Sequence, residues 1–106
     1  MNSNIENLTP DIGSFEIKDN IIYYDLGSML RNSSKKFSLE FLNKTHSSIR
    51  VGCGACTTTK LNQKENSLEL DITYRAIDSR GIITKTVTET FTDSTSQIIK
   101  FTVKII

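Results

Sequence analysis

A strict alternation of apolar and polar residues constrains the fold of this chain more than any other feature of its sequence. In the clearest instance, every second residue is large and apolar: Leu68, Leu70, Ile72 and Tyr74. Successive side chains on a β-strand point to opposite faces of the sheet, so this period of two is typical of a strand with one face buried. The same alternation recurs over 37–41 and over 99–105, and it predicts a fold built from half-buried strands.

Weaker β-patterned runs occupy much of the remaining sequence. They are rich in β-branched and aromatic residues and cover 15–17, 21–26, 49–53 and 82–91. Turn-forming residues separate the runs, and the Gly81 that follows Asp78-Ser79-Arg80 predicts a hairpin because glycine accepts a positive φ. About seven strands at regular spacing, in a chain the length of one domain, predict an all-β fold, an immunoglobulin-like antiparallel β-sandwich.

The first part of the chain lacks this pattern. Residues 1–13 are polar, rich in Asn and include the single proline, Pro10, so we expect an extended N-terminal arm in front of a sandwich domain of residues 14–106. Terminal segments stay ordered only where something holds them, and we expect the arm to lie against a neighbouring subunit. The sequence shows no basic region leading into an apolar stretch and no run long enough for a membrane span. We therefore expect no export signal and no membrane partner.

The charge of the chain is close to balanced. The sequence has 13 Lys and Arg residues against 12 Asp and Glu residues, for a formal net charge of +1. Proteins that bind nucleic acid usually present a clustered basic face, whereas the densest basic pair here, Lys35-Lys36, is typical of a solvated strand start. The composition therefore predicts neither a nucleic-acid partner nor electrostatic binding to a membrane.

The most distinctive local motif is Cys53-Gly54-Ala55-Cys56. Two cysteines at this spacing can be half of a zinc site, a dithiol redox centre or a strained disulfide. Structural zinc takes four ligands, but the chain offers two thiols and one imidazole, His46. A thioredoxin-like centre needs a helix after the first cysteine, and the following Thr57-Thr58-Thr59 favours a strand. We interpret the motif as structural and expect no bound metal or cofactor. If the chain did bind a metal ion, Cys53, Cys56 and His46 would be the candidate ligands.

Catalytic constellations are missing from the sequence. His46 lies in a polar stretch, Thr45-His46-Ser47-Ser48, that predicts a turn with no partner for a general base. The sequence contains no nucleophile elbow, phosphate-binding loop or zinc-protease helix motif, and hydroxyl side chains without an activating base are weak nucleophiles. We therefore expect no enzyme, no catalytic residue and no small-molecule substrate.

Threonines alternate along the run 82–91 and one position beyond it: Thr84, Thr86, Thr88, Thr90 and Thr92. They share one face of the strand, which we interpret as a solvated face rather than a contact surface for a partner sheet. The opposite face carries Lys85 and Glu89 among apolar residues. Charged side chains there must reach the end of the sheet, form a pair or meet a neighbouring subunit. The apolar residues 103–106 predict a last strand that is central in its sheet or packs on a partner.

The order of these features resembles a known family. A strand over 37–43 leads to Ile49-Arg50-Val51-Gly52-Cys53-Gly54-Ala55-Cys56-Thr57, and a strand over 68–74 is followed by Gly81. Over roughly residues 20–106 this resembles a bacterial Ig-like family of unknown function, related to the ASH and major-sperm-protein domains, with a Cys-Gly-Cys-Thr turn. The chain differs in having two residues between its cysteines and in lacking a Gly-Pro link before residue 68. The resemblance implies an Ig-like fold and assigns no activity.

These observations predict a structural subunit of a large assembly. The absence of a targeting signal and of catalytic motifs, the small sandwich and the polar arm together favour a bacteriophage virion protein, such as a capsid decoration or a neck or tail accessory protein. An amino-acid composition rich in Asn, Lys, Ile and Thr fits an AT-rich genome of the kind many phages have. We expect the protein to bind other subunits, including copies of itself, through the arm and the sheet edges. We expect the virion to be its location, with assembly of the particle in the host cytoplasm.

Two alternatives stay open at this point. The first is a cellular Ig-like adaptor, periplasmic or cytoplasmic, that binds a protein or glycan through its loops and whose Cys53 and Cys56 are oxidised in the cell envelope. The second is a metal or redox protein that uses Cys53, Cys56 and His46.

Overall fold

The structure, a computed structural model, describes residues 5–9 and 14–106. Within these ranges the chain is all β, because nine strands form two sheets and none of these residues belongs to a helix. Buried side chains from both sheets share one hydrophobic core. The predicted all-β sandwich is confirmed.

The strands are numbered in chain order: β1 (Ile5–Thr9), β2 (Ser14–Lys18), β3 (Ile21–Met29), β4 (Ser34–Leu42), β5 (His46–Val51), β6 (Thr57–Gln63), β7 (Ser67–Arg75), β8 (Gly81–Phe91) and β9 (Ser96–Ile105). The four-stranded sheet has the order β1-β4-β7-β6, and the five-stranded sheet has the order β2-β3-β9-β8-β5. β1 lies within the segment assigned to the arm, whose residues 1–4 and 10–13 are outside the described ranges. β6 is missed by the alternation.

Alternating residues of the central strands fill the space between the sheets. The four apolar residues of the run 68–74 are fully buried on β7, as are their counterparts on β4 and β9. At the centre the ring of Phe37 lies 4.2 Å from that of Tyr24 and 5.7 Å from that of Phe101, measured between centroids. Tyr74 is 5.5 Å from Phe101. Burial of each such side chain contributes roughly 1.5–3 kcal/mol, so these runs supply the main stabilisation of the sandwich.

One strand pair departs from the predicted antiparallel arrangement. β3 pairs with β9 in parallel, with Ile21 opposite Ile98 and Tyr24 opposite Phe101, whereas the other described pairs are antiparallel. β9 is central in its sheet, between β3 and β8. Of the two explanations offered for the apolar residues 103–106, the central position is therefore correct for Val103 and Ile105, which are buried.

The hairpin predicted at Gly81 is wrong. Gly81 does have a positive φ of 128°, but β7 and β8 lie in different sheets, so residues 76–80 cross from one sheet to the other. A hairpin turn instead joins β2 to β3 at Asp19-Asn20. Both residues have positive φ, 54° and 63°, as a two-residue type I′ turn requires.

The two neighbouring lysines at the start of β4 have different surroundings. Lys35 donates hydrogen bonds from Nζ to the carbonyl oxygens of Leu26 at 2.5 Å and Ser28 at 3.4 Å. Its position is fixed by a bulge in β3, where Gly27 adopts a φ of 73°. Lys36 is exposed, so the interpretation of a solvated pair holds for Lys36 and is wrong for Lys35.

The loops gather at the two ends of the sandwich. The cysteine end comprises the loops 30–33, 52–56 and 76–80. The N–H of Asn32 donates to the carbonyl of Ala76 at 2.8 Å and links two of these loops. The histidine end comprises the loops 19–20, 43–45, 64–66 and 92–95, linked for example by the N–H of Asn43 and the carbonyl of Asn66, 2.8 Å.

Candidate functional site

A histidine–glutamate pair lies inside the sandwich near the histidine end. The alternation of β8 places Glu89 on the inner face of the five-stranded sheet, where its side chain has no exposure to solvent. His46 is the first residue of the edge strand β5, and its Nδ1 lies 2.6 Å from Oε2 of Glu89. The prediction that His46 lies in a turn without a partner is therefore wrong. Of the three alternatives for the inward charge at Glu89, the structure shows pairing, and the partner belongs to the same chain.

One of the two carboxylate oxygens of Glu89 has a hydrogen-bond partner. Its second oxygen, Oε1, has no hydrogen-bond partner among the described residues. Burial raises the pKa of Glu89, and the hydrogen bond and charge of His46 oppose this rise. Because a buried carboxylate carries a desolvation cost of several kcal/mol, the contact with His46 is what allows an ionised Glu89 inside the fold. The carboxylate is sealed from solvent, and only the imidazole of His46 is partly accessible.

A second ionic contact joins two loops of the histidine end. Lys44 is only 8% exposed, and its Nζ lies 2.7 Å from Oδ2 of Asp93 and 2.9 Å from Oγ1 of Thr95. The ammonium also sits 5.1 Å from the centre of the Phe91 ring, within the range of a cation–π contact. The hydrogen bond from Lys44, reinforced by those from Thr95, holds the pKa of Asp93 well below its usual range. Lys44 thus ties the loop 43–45 to the loop 92–95.

Two glutamines complete the polar contacts of the histidine end. Gln63 accepts a hydrogen bond from the N–H of His46 at 2.9 Å and donates to the carbonyl of Lys44 at 3.1 Å. Buried Gln97 donates to the carbonyl of Asn20 at 2.6 Å. These amides satisfy main-chain groups that the loops leave unpaired, so this end of the sandwich is tightly cross-linked.

The cysteine end has its own polar contacts. Cys53 and Cys56 form a disulfide, with 5.6 Å between their Cα atoms. The Tyr74 hydroxyl donates to Oδ2 of Asp78 at 2.7 Å, and Nζ of Lys85 lies 3.5 Å from the same oxygen. Burial first, and then the contact with Asp78, raise the pKa of Tyr74. Lys85, the other charge predicted on the inner face of β8, therefore also pairs within the chain.

The candidate metal ligands are not brought together. Cys53 and Cys56 lie at the cysteine end, whereas His46 lies at the histidine end, separated by the length of β5. At about 3.3 Å per residue this separation is roughly 20 Å. Within the described ranges, no three His, Cys, Asp or Glu side chains are grouped so as to hold a metal ion.

The threonine face of β8 points away from the core, as the alternation predicts. At the β5 edge of this face a groove of about 420 Å³ is lined by Ser48, Ile49, Arg50, Thr88 and Thr90. Its lining of hydroxyl groups and one guanidinium can donate hydrogen bonds to a polar partner. The free edges of the two sheets are β1 and β6, and β2 and β5.

Comparisons with known proteins assign no family. No family model matches the sequence, and no curated protein matches it. Among the residues that the structure describes, no helix has the length and apolar character needed to cross a membrane.

The sequence pattern marks some of the residues that form these polar contacts but not others. Lys85 and Glu89 stand out as charges at inward positions of an alternating strand. Lys44 and Asp93 lie in loops, where a charged residue is the ordinary expectation, so nothing in the local pattern marks their burial and pairing.

Proposed function

We propose that the protein is a non-enzymatic structural subunit of a large assembly, a bacteriophage virion protein of the capsid-decoration or neck and tail accessory type. It binds neighbouring subunits through its N-terminal arm and its sheet edges. The observation that carries this proposal is the pairing of β1, which comes from the arm, with the edge of β4. Ile5 lies opposite Phe41, Glu6 opposite Glu40 and Thr9 opposite Ser38.

The pairing supports the proposal because of where β1 stands in the fold. β1 is an outer strand of the four-stranded sheet, and the next strand, β2, belongs to the other sheet. Without β1, the edge of β4 would present unpaired main-chain groups, which readily accept a strand from another chain. The same β1–β4 ladder can form with the arm of the same chain or of a neighbour, as in domain swapping.

The strand order supports an immunoglobulin-like type of sandwich. In that fold one sheet has the strands A, B, E and D and the other has C, F and G. The order β1-β4-β7-β6 corresponds to the first sheet, and β5-β8-β9 corresponds to the second. Such sandwiches often act as binding modules, although the fold alone does not fix a function.

The inner ionic groups support a structural rather than a catalytic role. Glu89 is sealed from solvent, and Lys44 and Gln97 are buried against loop carbonyls or a carboxylate. The contacts of these three side chains join strands and loops of the same chain. Their hydrogen-bonding groups therefore stabilise the fold and do not face a substrate.

Cysteine cross-linking tests the role of the arm. One protein carries Glu6→Cys and a second, differing in length by a tag, carries Glu40→Cys, both in a background with Cys53→Ser and Cys56→Ser. We expect oxidation of the mixture to give a covalent heterodimer, because an exchanged arm brings positions 6 and 40 of two chains into register. The control pairs Glu6→Cys with Lys60→Cys, since Lys60 lies on β6 at the far edge of the sheet.

The same variants also give the result that would overturn the proposal. A chain carrying both Glu6→Cys and Glu40→Cys that forms only an intrachain disulfide at every concentration, with no heterodimer from the mixture, would remove the arm as an assembly element. Antibodies against the purified protein that label intact virus particles would test the virion role directly.

A second function is favoured by one observation, the disulfide between Cys53 and Cys56. Disulfides persist in oxidising surroundings such as the periplasm and the cell surface, which suits a periplasmic Ig-like adaptor that binds a protein or glycan. Osmotic shock of cells that express the native gene separates the two functions. Release of the protein with the periplasmic fraction would support the adaptor, and its recovery in sedimenting particles would support the virion subunit.

A further inference from the structure

The two ends of the sandwich differ in apolar exposure. Five large hydrophobic side chains are exposed among the described residues, and four of them lie at or beside the cysteine end. Leu30 is 68% exposed, Ile82 is 75% exposed and Ile106 is 50% exposed, with Ile77 also in this set. Ile106 is held there by a hydrogen bond from its N–H to the carbonyl of Met29, 2.9 Å. Single exposed apolar residues are ordinary, but a group at one end marks a contact surface.

The cysteine end is also cationic. Four basic side chains are exposed in or next to its loops: Arg31, Arg75, Arg80 and Lys104. Among the described residues of the loops 30–33, 52–56 and 76–80, Asp78 is the one carboxylate. Asp78 is already engaged by Lys85 and Tyr74. Next to these loops, exposed Asp25 lines the same pocket as Lys104. The excess of exposed positive charge at this end is therefore carried mainly by Arg31, Arg75 and Arg80.

The histidine end has the opposite character. Its loops carry three acidic side chains, Asp19, Glu65 and Asp93, all exposed, and Glu40 and Glu69 flank them on β4 and β7. Two of its lysines are occupied: Lys44 is buried against Asp93, and Lys64 lies 3.7 Å from Glu40 and 3.9 Å from Glu69. Lys18 is the remaining exposed cation of the described residues at this end. The described chain is thus positive at one end and negative at the other.

We propose that the cysteine end of one copy docks on the histidine end of the next, so that the chains associate head to tail. This deepens the proposed function by naming a second copy of the chain as one of its partners. Arg31, Arg80 and Lys104 would face the carboxylates of the neighbouring histidine end, while Leu30 and Ile82 would leave water. A head-to-tail contact uses two different surfaces, so it continues into a ring or a filament instead of stopping at a symmetric dimer.

The size of the ends sets the strength of this contact. The sandwich measures 39 × 24 × 20 Å, so an end-to-end contact buries roughly 1,000 Å² in total, at the lower bound for a specific interface. Such a contact is weak for an isolated pair and gains strength when other contacts of the assembly hold the chains together. Because the charges are exposed, added salt weakens the contact.

The test uses sedimentation velocity of the full chain over a range of concentrations at low and high salt. The head variant carries Arg31→Glu and Arg80→Glu, and the tail variant carries Asp19→Asn and Glu65→Lys. We expect each variant alone to self-associate roughly tenfold more weakly than the native chain. A mixture of the two should associate more strongly than either variant alone, because the native tail of the head variant can then bind the native head of the tail variant.

Two further variants sharpen the result. The chain carrying all four substitutions should associate again, because its head is then acidic and its tail is less acidic. The control Lys36→Glu with Lys60→Glu changes the net charge as much as the head variant does, but on the side of the four-stranded sheet, and should associate like the native chain. These substitutions leave the β1–β4 pairing unchanged, so the cross-linking test of the arm is independent of this one.

A native chain that stays monomeric at high concentration and low salt would overturn the head-to-tail proposal. So would head and tail variants that fail to complement each other on mixing, because a symmetric dimer or a nonspecific association lacks the complementary surfaces.

Discussion

Nδ1 of His46 and Oε2 of Glu89 lie 2.6 Å apart, and this contact compensates a carboxylate that has no exposure to solvent. The two residues come from neighbouring strands of the five-stranded sheet, the edge strand β5 and β8. Breaking a buried pair from one side leaves a charge without compensation, whereas removing both partners can be nearly neutral. The pair is therefore a sensitive point for the stability of the edge strand.

Replacing His46 should be far more harmful than replacing both members of the pair. We expect His46→Ala to lower the free energy of unfolding by about 3–5 kcal/mol near neutral pH, and His46→Ala combined with Glu89→Leu to recover most of this loss. Urea unfolding followed by circular dichroism measures both. Lys36→Ala, which removes an exposed contact with Asp71, is the control and should cost below about 1 kcal/mol. Equal effects of His46→Ala and Lys36→Ala would contradict the prediction.

The raised pKa of Glu89 should appear in the pH dependence of stability. Its usual value is 4.5, and burial raises it in the folded state, so the folded chain holds this proton more tightly than the unfolded chain does. The stabilisation from this proton is complete below pH 4.5 and is lost as the pH rises through the folded pKa. Glu89→Gln cannot lose a proton, and it should gain stability relative to the native chain as the pH rises from 4.5. Parallel profiles of the two proteins in urea unfolding would show that the group does not titrate as inferred.

Lys44 should control the acid side of the stability profile. Because Lys44 lowers the pKa of Asp93, the folded state favours ionised Asp93, and this stabilisation is present above the usual pKa and lost as the pH falls through the lowered one. We expect Lys44→Met to flatten the loss of stability in acid. The Asp93 side chain is half exposed and can be hydrated again, so this variant should lose less stability than His46→Ala. Acid unfolding monitored by circular dichroism tests this, and an unchanged acid midpoint would count against it.

The disulfide should contribute modestly to stability. It joins residues three positions apart, and closure of so short a loop in the unfolded chain is worth roughly 2 kcal/mol or less. Cys53→Ser with Cys56→Ser should therefore fold, with a melting temperature lower by roughly 10 °C or less. Reductant should lower the melting temperature of the native chain by a similar amount and leave that of the variant unchanged. Unfolding of the native chain on reduction alone would contradict this estimate.

The sequence predicts the central strands well because a geometric rule governs them. Any strand with one buried face must alternate, so Leu68 and Ile99 identify β7 and β9 without further information. β6 escapes the same rule because it is an edge strand in which Thr57 alone is buried, and its main-chain bonds to β7 hold it in place. The parallel pairing of β3 with β9 is not local either, since no pattern within either strand specifies its partner.

The contacts at the candidate site are predictable only in part. A charge at Glu89 on the inner face requires a partner, and this follows from the alternation alone. The identity of that partner does not, because His46 lies 43 positions away and is brought near only by the pairing of β5 with β8. The head-to-tail polarity likewise depends on which loops share an end, which is decided by the topology.

The central position of β9 also has a consequence for synthesis on the ribosome. β9 lies between β3 and β8. Ile21 of β3 can pair with Ile98 only after β9 has been synthesised. Until then, the nascent chain exposes two apolar strand edges with no mutual partner. Pairings this distant in sequence also form slowly. We therefore expect misfolding during synthesis to begin at the unpaired edges of β3 and β8, before β9 has been added between them.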